Sequence, residues 1–328
     1  MNRRRWAVIA GTVAVAAGLL AAGPLTAPAS ATPASAVTAT AVPAVGLIPL
    51  TDVLDPSPAG SNDWHCRPSD KHPDPVVLVH GLGANQAANW GYLSPLLAKH
   101  GYCVFSLTYG RNPLAPPPLN QVGGLQPMEQ SSHELARFVD KVRDATGADK
   151  VDIVGHSEGS LMPDYYVKFL GGDEYVARYV AMTPLWDGTN TLALARLNQA
   201  AVQVGLGPGL GTVLLPLCGS CREFLHGSPF LKKLNADGGP AVDGVAYTTI
   251  MTKYDEAVVP YTSGHLDGDE VTNIVLQDHC AQDMSEHVGV AFDPVAAQFI
   301  LNALSPDHAT SVRCYPVGPQ GMPSPPSL

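Results

Sequence analysis

The sequence predicts an α/β chain whose mostly parallel central sheet is covered by helices on both faces. Three observations carry this. Short apolar runs rich in β-branched residues alternate with longer segments of helical spacing. The run Val151 to Val154 leads straight into Gly155-His156-Ser157-Glu158-Gly159, with a helix-like segment behind it. A second strand-like run, Val76 to Val79, ends in the small-residue turn His80-Gly81-Leu82-Gly83. Consecutive strands joined by helices imply parallel pairing with helices on both sides.

Each element follows in order. After the strand 76–79 comes a helix over about 87–100, then a strand over 103–107. Between 129 and 145, Leu135, Phe138, Val139 and Val142 fall on one face at helical spacing, and Gly147 ends the helix. The strand 151–154, the Ser157 turn, a helix over 159–170 and a strand over 179–182 continue the alternation. Val245 to Thr252 reads as a strand followed by Lys253-Tyr254-Asp255-Glu256, and Val271 to Leu276 as a shorter strand. A loop holding His279 and His287 then precedes an apolar helix over 288–304.

The pattern changes between Thr183 and Gly244. A candidate amphipathic helix, Leu192 to Val204, gives way to the glycine-rich stretch 205–211 and the uncharged apolar run Val213-Leu214-Leu215-Pro216-Leu217. An insertion here lies above the C-terminal ends of the strands, where ligands bind in open α/β sheets. It is expected to be a cap, about 184–244, that supplies an apolar acyl pocket.

The two ends read differently from the middle. Arg3-Arg4-Arg5, an apolar stretch from Trp6 to Leu20 and the small-residue site Ala29-Ser30-Ala31 predict a signal peptide over 1–31 and a secreted, extracellular protein without a stable membrane anchor. A flexible leader is expected over 32–64, a catalytic domain over 65–315 and a loose Pro-rich tail over 316–328. The chain carries 19 basic and 29 acidic residues, net −10. Cleavage would remove three arginines and leave about −13, which repels nucleic acid and anionic membrane surfaces. A monomer is expected.

Six cysteines in an exported chain suggest three disulfides, although sequence alone allows fifteen pairings. The expected bridges are Cys66 to Cys103, Cys218 to Cys221 and Cys280 to Cys314. A Gly-Ser turn can close the C-x-x-C pair locally, and no further zinc ligands lie near it. The last bridge would hold the tail and the His287 loop in place.

The chemistry centres on Ser157. A serine between a strand and a helix sits in a sharp, strained turn, and glycines two residues to either side remove collisions with strand and helix, leaving the hydroxyl exposed. The N–H groups of Leu82 and of Glu158 would then form an oxyanion hole. A nucleophile of this kind needs a base and an acid, in the chain order Ser, acid, His. Asp255, just past a strand end, is the favoured acid, with Glu256 as rival. His287 is the favoured base, with His279 as rival. No metal or cofactor is called for, and Asp267-Gly268-Asp269-Glu270 reads as a solvated turn.

Together, His80-Gly81-Leu82-Gly83, Gly155-His156-Ser157-Glu158-Gly159, Asp255 before Val258-Val259-Pro260, and His287 with Asp293-Pro294 resemble the secreted actinobacterial lipases and esterases of the α/β-hydrolase superfamily, class 2 lipase-like. The resemblance covers roughly 65–315. It implies a serine carboxylester hydrolase acting on acylglycerols or other apolar esters at a lipid–water interface, with Ser157, Asp255 and His287 as triad and Leu82 and Glu158 as oxyanion donors. It also supports the first and last disulfides. The calcium ligands of some bacterial lipases have no evident counterpart. Alternatives on the same triad are an exported acyltransferase or a polyester hydrolase; the alternative outside enzymes is a non-catalytic lipid-binding relative.

Overall fold

A computed structural model of the chain describes residues 56–112, 114–115, 119–190 and 218–321. Its centre is a six-stranded sheet in the order β2-β1-β3-β4-β5-β6, every pair parallel. The strands are β1 (Val76–Val79), β2 (Val104–Leu107), β3 (Val151–His156), β4 (Val176–Met182), β5 (Ala246–Met251) and β6 (Val271–Val275). The helices are α1 (Gln86–Trp90), α2 (Leu93–Lys99), α3 (Met128–Thr146), α4 (Met162–Phe169), α5 (Pro229–Leu234), α6 (Leu276–His279) and α7 (Pro294–Leu304).

Strand side chains alternate between faces, so a sheet covered on both sides needs continuous apolar runs, and β1 is fully buried along its length. Val77 and Val79 join a core with Phe105, Ile153 and Tyr179, covered by Leu135, Val139 and Val142 of α3 and Tyr165 and Tyr166 of α4. Val76 and Leu78 point the other way, to Val154, Val180 and Ile250, under Trp90, Leu93 and Leu97 of α1 and α2 and Val295, Phe299 and Ile300 of α7. Each such fully buried aliphatic side chain contributes about 1.5–3 kcal/mol.

Two expected helices are broken. The segment 87–100 is interrupted at Gly91 and Tyr92, and 288–304 divides into a 3-10 turn, Gly289–Phe292, and α7. The second break has a plain cause: the Asp293 side chain accepts the N–H of Val295 as an N-cap, and Pro294, which has no N–H, takes the first position of α7. The Ser157 turn likewise runs as a 3-10 segment, Ser157–Ser160, before α4.

The packed region passes both expected boundaries. Ser61 bridges to Val104, Asn62 exchanges hydrogen bonds with the Ser106 backbone at 2.9 Å, and the Trp64 ring lies 5.0 Å from that of Phe105. At the other end Val317, inside the expected tail, is buried and pairs with Asp283. Short polar and proline-rich segments gave no periodic signal, yet each fills an edge of the core. The three disulfides are Cys66–Cys103, Cys218–Cys221 and Cys280–Cys314. The expected signal peptide, the leader up to 55, the candidate helix 192–204, the run 205–217 and residues 322–328 lie outside the described residues. Among the described residues, no helix is long and apolar enough to cross a membrane.

Gly147 ends α3 at φ 75°, its N–H donating to the Arg143 carbonyl at 2.7 Å, whereas Gly91 has an ordinary helical φ of −58°. Gly147→Ala should therefore destabilise by about 1 kcal/mol, and Gly91→Ala should stabilise by about 0.5 kcal/mol, in urea unfolding at equilibrium.

Candidate active site

The elbow after β3 shows why its glycines are required. Ser157 has φ 57°, a left-handed conformation that costs a non-glycine residue energy. The turn is so tight that a Cβ on Gly155 would overlap the Gly159 carbonyl, and one on Gly159 would overlap the carbonyls of Val79 and His80 at the end of β1. The strand, the turn and the neighbouring strand leave room for hydrogen atoms only. Ser157 consequently stands at the C-terminal edge of the sheet, buried but facing a pocket with Leu82, Glu158, Leu185, Thr189, Phe224, Ala257, Val258 and His287.

The structure brings Ser157, His287 and Asp255 together. His287 Nε2 lies 2.8 Å from Ser157 Oγ, and His287 Nδ1 lies 3.0 Å from the Asp255 carboxylate. The side chains of Asp255 and His287 are each 2 % exposed, so this chain of hydrogen bonds is screened from water. Asp255 is held by the N–H groups of Ala257 at 2.9 Å and Val258 at 2.7 Å, a turn that follows β5. Glu256 does not reach the imidazole ring; its carboxylate accepts the His287 backbone N–H at 3.2 Å. His279 is exposed at the end of α6, with its ring edge-on to Phe299.

Burial alone would lower the pKa of His287, but the charge and hydrogen bond of Asp255, with Glu256 and Glu286, outweigh it and hold the pKa above the ordinary 6.5. The neighbouring His156 is the opposite case. Burial, and then the charge of His287, push its pKa down to about 3, so it is neutral. Its one ring N–H has two acceptors in reach, the His287 carbonyl 2.9 Å from Nε2 and Asn89 Oδ1 3.0 Å from Nδ1, and donates to one of them, while Asn89 Oδ1 also accepts the Gly81 N–H at 3.1 Å. His156 and Asn89 thus connect the elbow, the His287 loop and the turn after β1.

The N–H groups of Leu82 and Glu158 donate to no protein acceptor among the described residues, and both residues line the pocket beside Ser157. From the expected cap region, Leu185, Thr189 and Phe224 form its wall. Thr189 fastens that wall to the Asp255 turn: its hydroxyl donates to the Ala257 carbonyl at 2.8 Å and accepts the Val259 N–H at 3.1 Å.

The His287 loop is fixed from below and from the side. Asp283 accepts both the N–H and the hydroxyl of Ser285, whose carbonyl accepts the Thr252 hydroxyl at 2.6 Å. Asp293 sits beside this pair, its pKa raised to about 8 by burial and by the charge of Asp283. Along the side, Met284 N–H donates to Val317 and Glu286 N–H to Pro319, a strap pinned by Cys280–Cys314. Sequence reasoning missed His156 as a contact of His287, together with Asn89, Thr189, Ser285 and this strap. Only His156, adjacent to the serine, had a position that could have drawn notice. Among the described residues no group of three or more His, Cys, Asp or Glu could hold a metal ion.

Replacing both Cys280 and Cys314 by Ser frees a loop of 34 residues and should cost about 3–4 kcal/mol, seen as a lower thermal midpoint. Gly159→Ala should cost on the order of 3 kcal/mol through overpacking against Val79 and His80, measured by chemical denaturation.

The sequence profile of the lipase (class 2) family matches residues 73–300, which includes every residue of the elbow, the Asp255 turn and the His287 loop. Aspergillus fumigatus lipase B is similar in structure, with a TM-score of 0.60 at 19 % identity; the alignment covers 81 % of this chain and 61 % of the fungal one. An esterase of Pyrobaculum calidifontis gives a TM-score of 0.48 at 18 % identity, over 74 % of this chain and 80 % of that one. The structural likeness is one of fold, that of the α/β hydrolases. The family match spans more than half of the sequence, and the chain belongs to the class 2 lipases.

Proposed function

We propose that the protein is a secreted serine carboxylester hydrolase that cleaves apolar esters, acylglycerols among them, through an acyl-enzyme. The observation that carries this reading is the unbroken chain from Ser157 Oγ through both nitrogens of His287 to Asp255, with bonds of 2.8 and 3.0 Å, buried beside an apolar pocket. Family membership supports ester chemistry. The reading of secretion rests on the N-terminal sequence and is compatible with three disulfides, which persist in oxidising compartments.

The steps follow from the groups present. His287 Nε2 accepts the proton of Ser157 as its oxygen attacks the ester carbonyl. Asp255 holds the Nδ1 proton in place and stabilises the imidazolium. The N–H groups of Leu82 and Glu158 bind the oxyanion, a position favoured by their lack of protein acceptors among the described residues. His287 returns the proton to the departing alcohol, and water, activated in the same way, releases the acid. Leu82, Leu185, Phe224 and Val258 offer the acyl chain an apolar lining.

The test is turnover of a soluble ester series by the mature protein. Ser157→Ala should lower kcat by at least about 10⁴-fold with the fold intact by circular dichroism; retained activity would overturn the reading. His287 acts only when neutral, and its pKa is raised, so kcat/KM should climb with pH through an apparent pKa above the ordinary 6.5. Asp255→Asn should cut kcat by about 10⁴-fold and move that acidic limb to lower pH, because burial then acts on His287 without its main opposing charge.

A further inference from the structure

Glu158 carries one of the two proposed oxyanion N–H groups, yet its side chain is unaccounted for by that role. It is 1 % exposed and lies between Tyr109, from the segment after β2, and Ser220, from the turn closed by Cys218–Cys221. A carboxylate in such a place needs either a cation or donated protons. Among the described residues, no cation is one of the groups whose charge acts on Glu158.

Both hydroxyl protons have a second acceptor within reach. Tyr109 Oη lies 2.9 Å from the His80 carbonyl and 3.2 Å from Glu158 Oε1. Ser220 Oγ lies 2.6 Å from the Gly124 carbonyl and 3.0 Å from Glu158 Oε2. Carbonyl oxygens only accept, and each hydroxyl has one proton: that of Ser220 goes to the much shorter bond to Gly124, and that of Tyr109 is shared between the His80 carbonyl and Glu158 Oε1. The Ser220 contact is then satisfied only if the carboxyl group supplies a proton of its own, donated from Oε2 to Ser220.

The resulting chain runs from the His80 carbonyl through Tyr109, Glu158 and Ser220 to the Gly124 carbonyl. Its two ends belong to loops already laced together, Gly83 N–H donating to Gly123 at 3.1 Å and Gly123 N–H to Ala84 at 2.8 Å, with Leu82 between. We propose that the Glu158 side chain is a positioning residue for the ester chemistry above, on which this inference rests: as an uncharged carboxylic acid it fixes the Leu82 turn against its own N–H, and losing its proton would break that link and set a negative charge beside the developing oxyanion.

The surroundings define when this happens. Burial raises the pKa of Glu158 to about 8, against the opposing hydrogen bonds of Ser220 and Tyr109 and with a further push from Glu223. The groups packed around it do not supply a compensating charge. Tyr109 is held well above its ordinary pKa by burial, and His80, stacked on Tyr109 at 4.4 Å, is lowered to about 4 by burial and stays neutral. Glu134 of α3 accepts the Gly110 N–H, and Glu223 accepts that of Met128. On the nucleophile's side, His287 carries charge only towards acid pH. An acid with a raised pKa is neutral below that value and charged above it, so the loss falls on the alkaline side.

The experiment compares kcat against pH, from about 6 to about 10, for the full mature chain and for Glu158→Gln, each normalised to its own maximum. The wild type should fall about tenfold per pH unit above the pKa of about 8, and Glu158→Gln should hold level through the same window. Superimposable alkaline limbs, or no limb in the wild type, would overturn the proposal. Labelling by a fluorophosphonate at about pH 7 is run beside it; absence of an adduct on Ser157 would instead overturn the hydrolase reading and this inference with it. A second measurement needs no variant to fold. With glutamate labelled by ¹³C at the side-chain carboxyl, one resonance should titrate near pH 8, and titration of every glutamate below about pH 7 would contradict the assignment.

Discussion

Everything at the site depends on a steric constraint, the left-handed turn at Ser157. With φ at 57°, the chain reverses from β3 into the helix within a few residues, and the turn closes only because Gly155 and Gly159 bring no Cβ against the backbone of the turn and of β1. That contact fixes the position of the hydroxyl and also the direction of the Glu158 N–H. The parallel sheet supplies the rest. β3 lies inside the sheet, and the segments leaving β5 and β6 arrive at the same edge, so residues 98 and 130 positions downstream meet the serine. The backbone strain at Ser157 is sustained by burial on both faces of β3, where the two cores hold the strand.

His287 needs a different kind of support, because it stands on a loop. Main-chain groups do most of the holding: its N–H is taken by Glu256, its carbonyl by His156, and the residues around it by Asp283, Ser285 and the strap through Val317 and Pro319. A histidine fixed through its backbone can be aimed by its neighbours without giving up either ring nitrogen, which leaves Nε2 free to face Ser157 and Nδ1 to face Asp255. Asp255 is arranged on the same principle, receiving two backbone N–H groups on one side while facing the imidazole on the other.

The parts of this arrangement that were legible in the sequence are those that obey a local rule. Two glycines flanking Ser157, a run of β-branched residues before it, and an acid just past a strand end each follow from geometry within a few residues. The order of Asp255 and His287 after Ser157 was legible through chain order, and the structure brings the three side chains within hydrogen-bond reach. Asp293-Pro294 was also a readable start signal, a cap followed by a residue suited to the first helical turn, and it divides what apolar periodicity alone had joined into one helix. The remainder was not legible because it arises from contacts between distant segments. Nothing in the spacing of Tyr109, Glu158 and Ser220 announces that they meet, and Trp64 and Val317 pack from stretches that lack period and look like leader and tail.

The central claim is that the elbow presents Ser157 to His287 on one side and the reacting carbonyl to two backbone donors on the other. A crystal structure of the protein carrying a phosphonate ester on Ser157 tests it most directly. The account predicts the phosphoryl oxygen within about 2.7–3.1 Å of the N–H groups of both Leu82 and Glu158, with the alkyl chain against Leu185 and Phe224. An adduct oxygen turned away from both donors, or phosphorus attached to another residue, would contradict it.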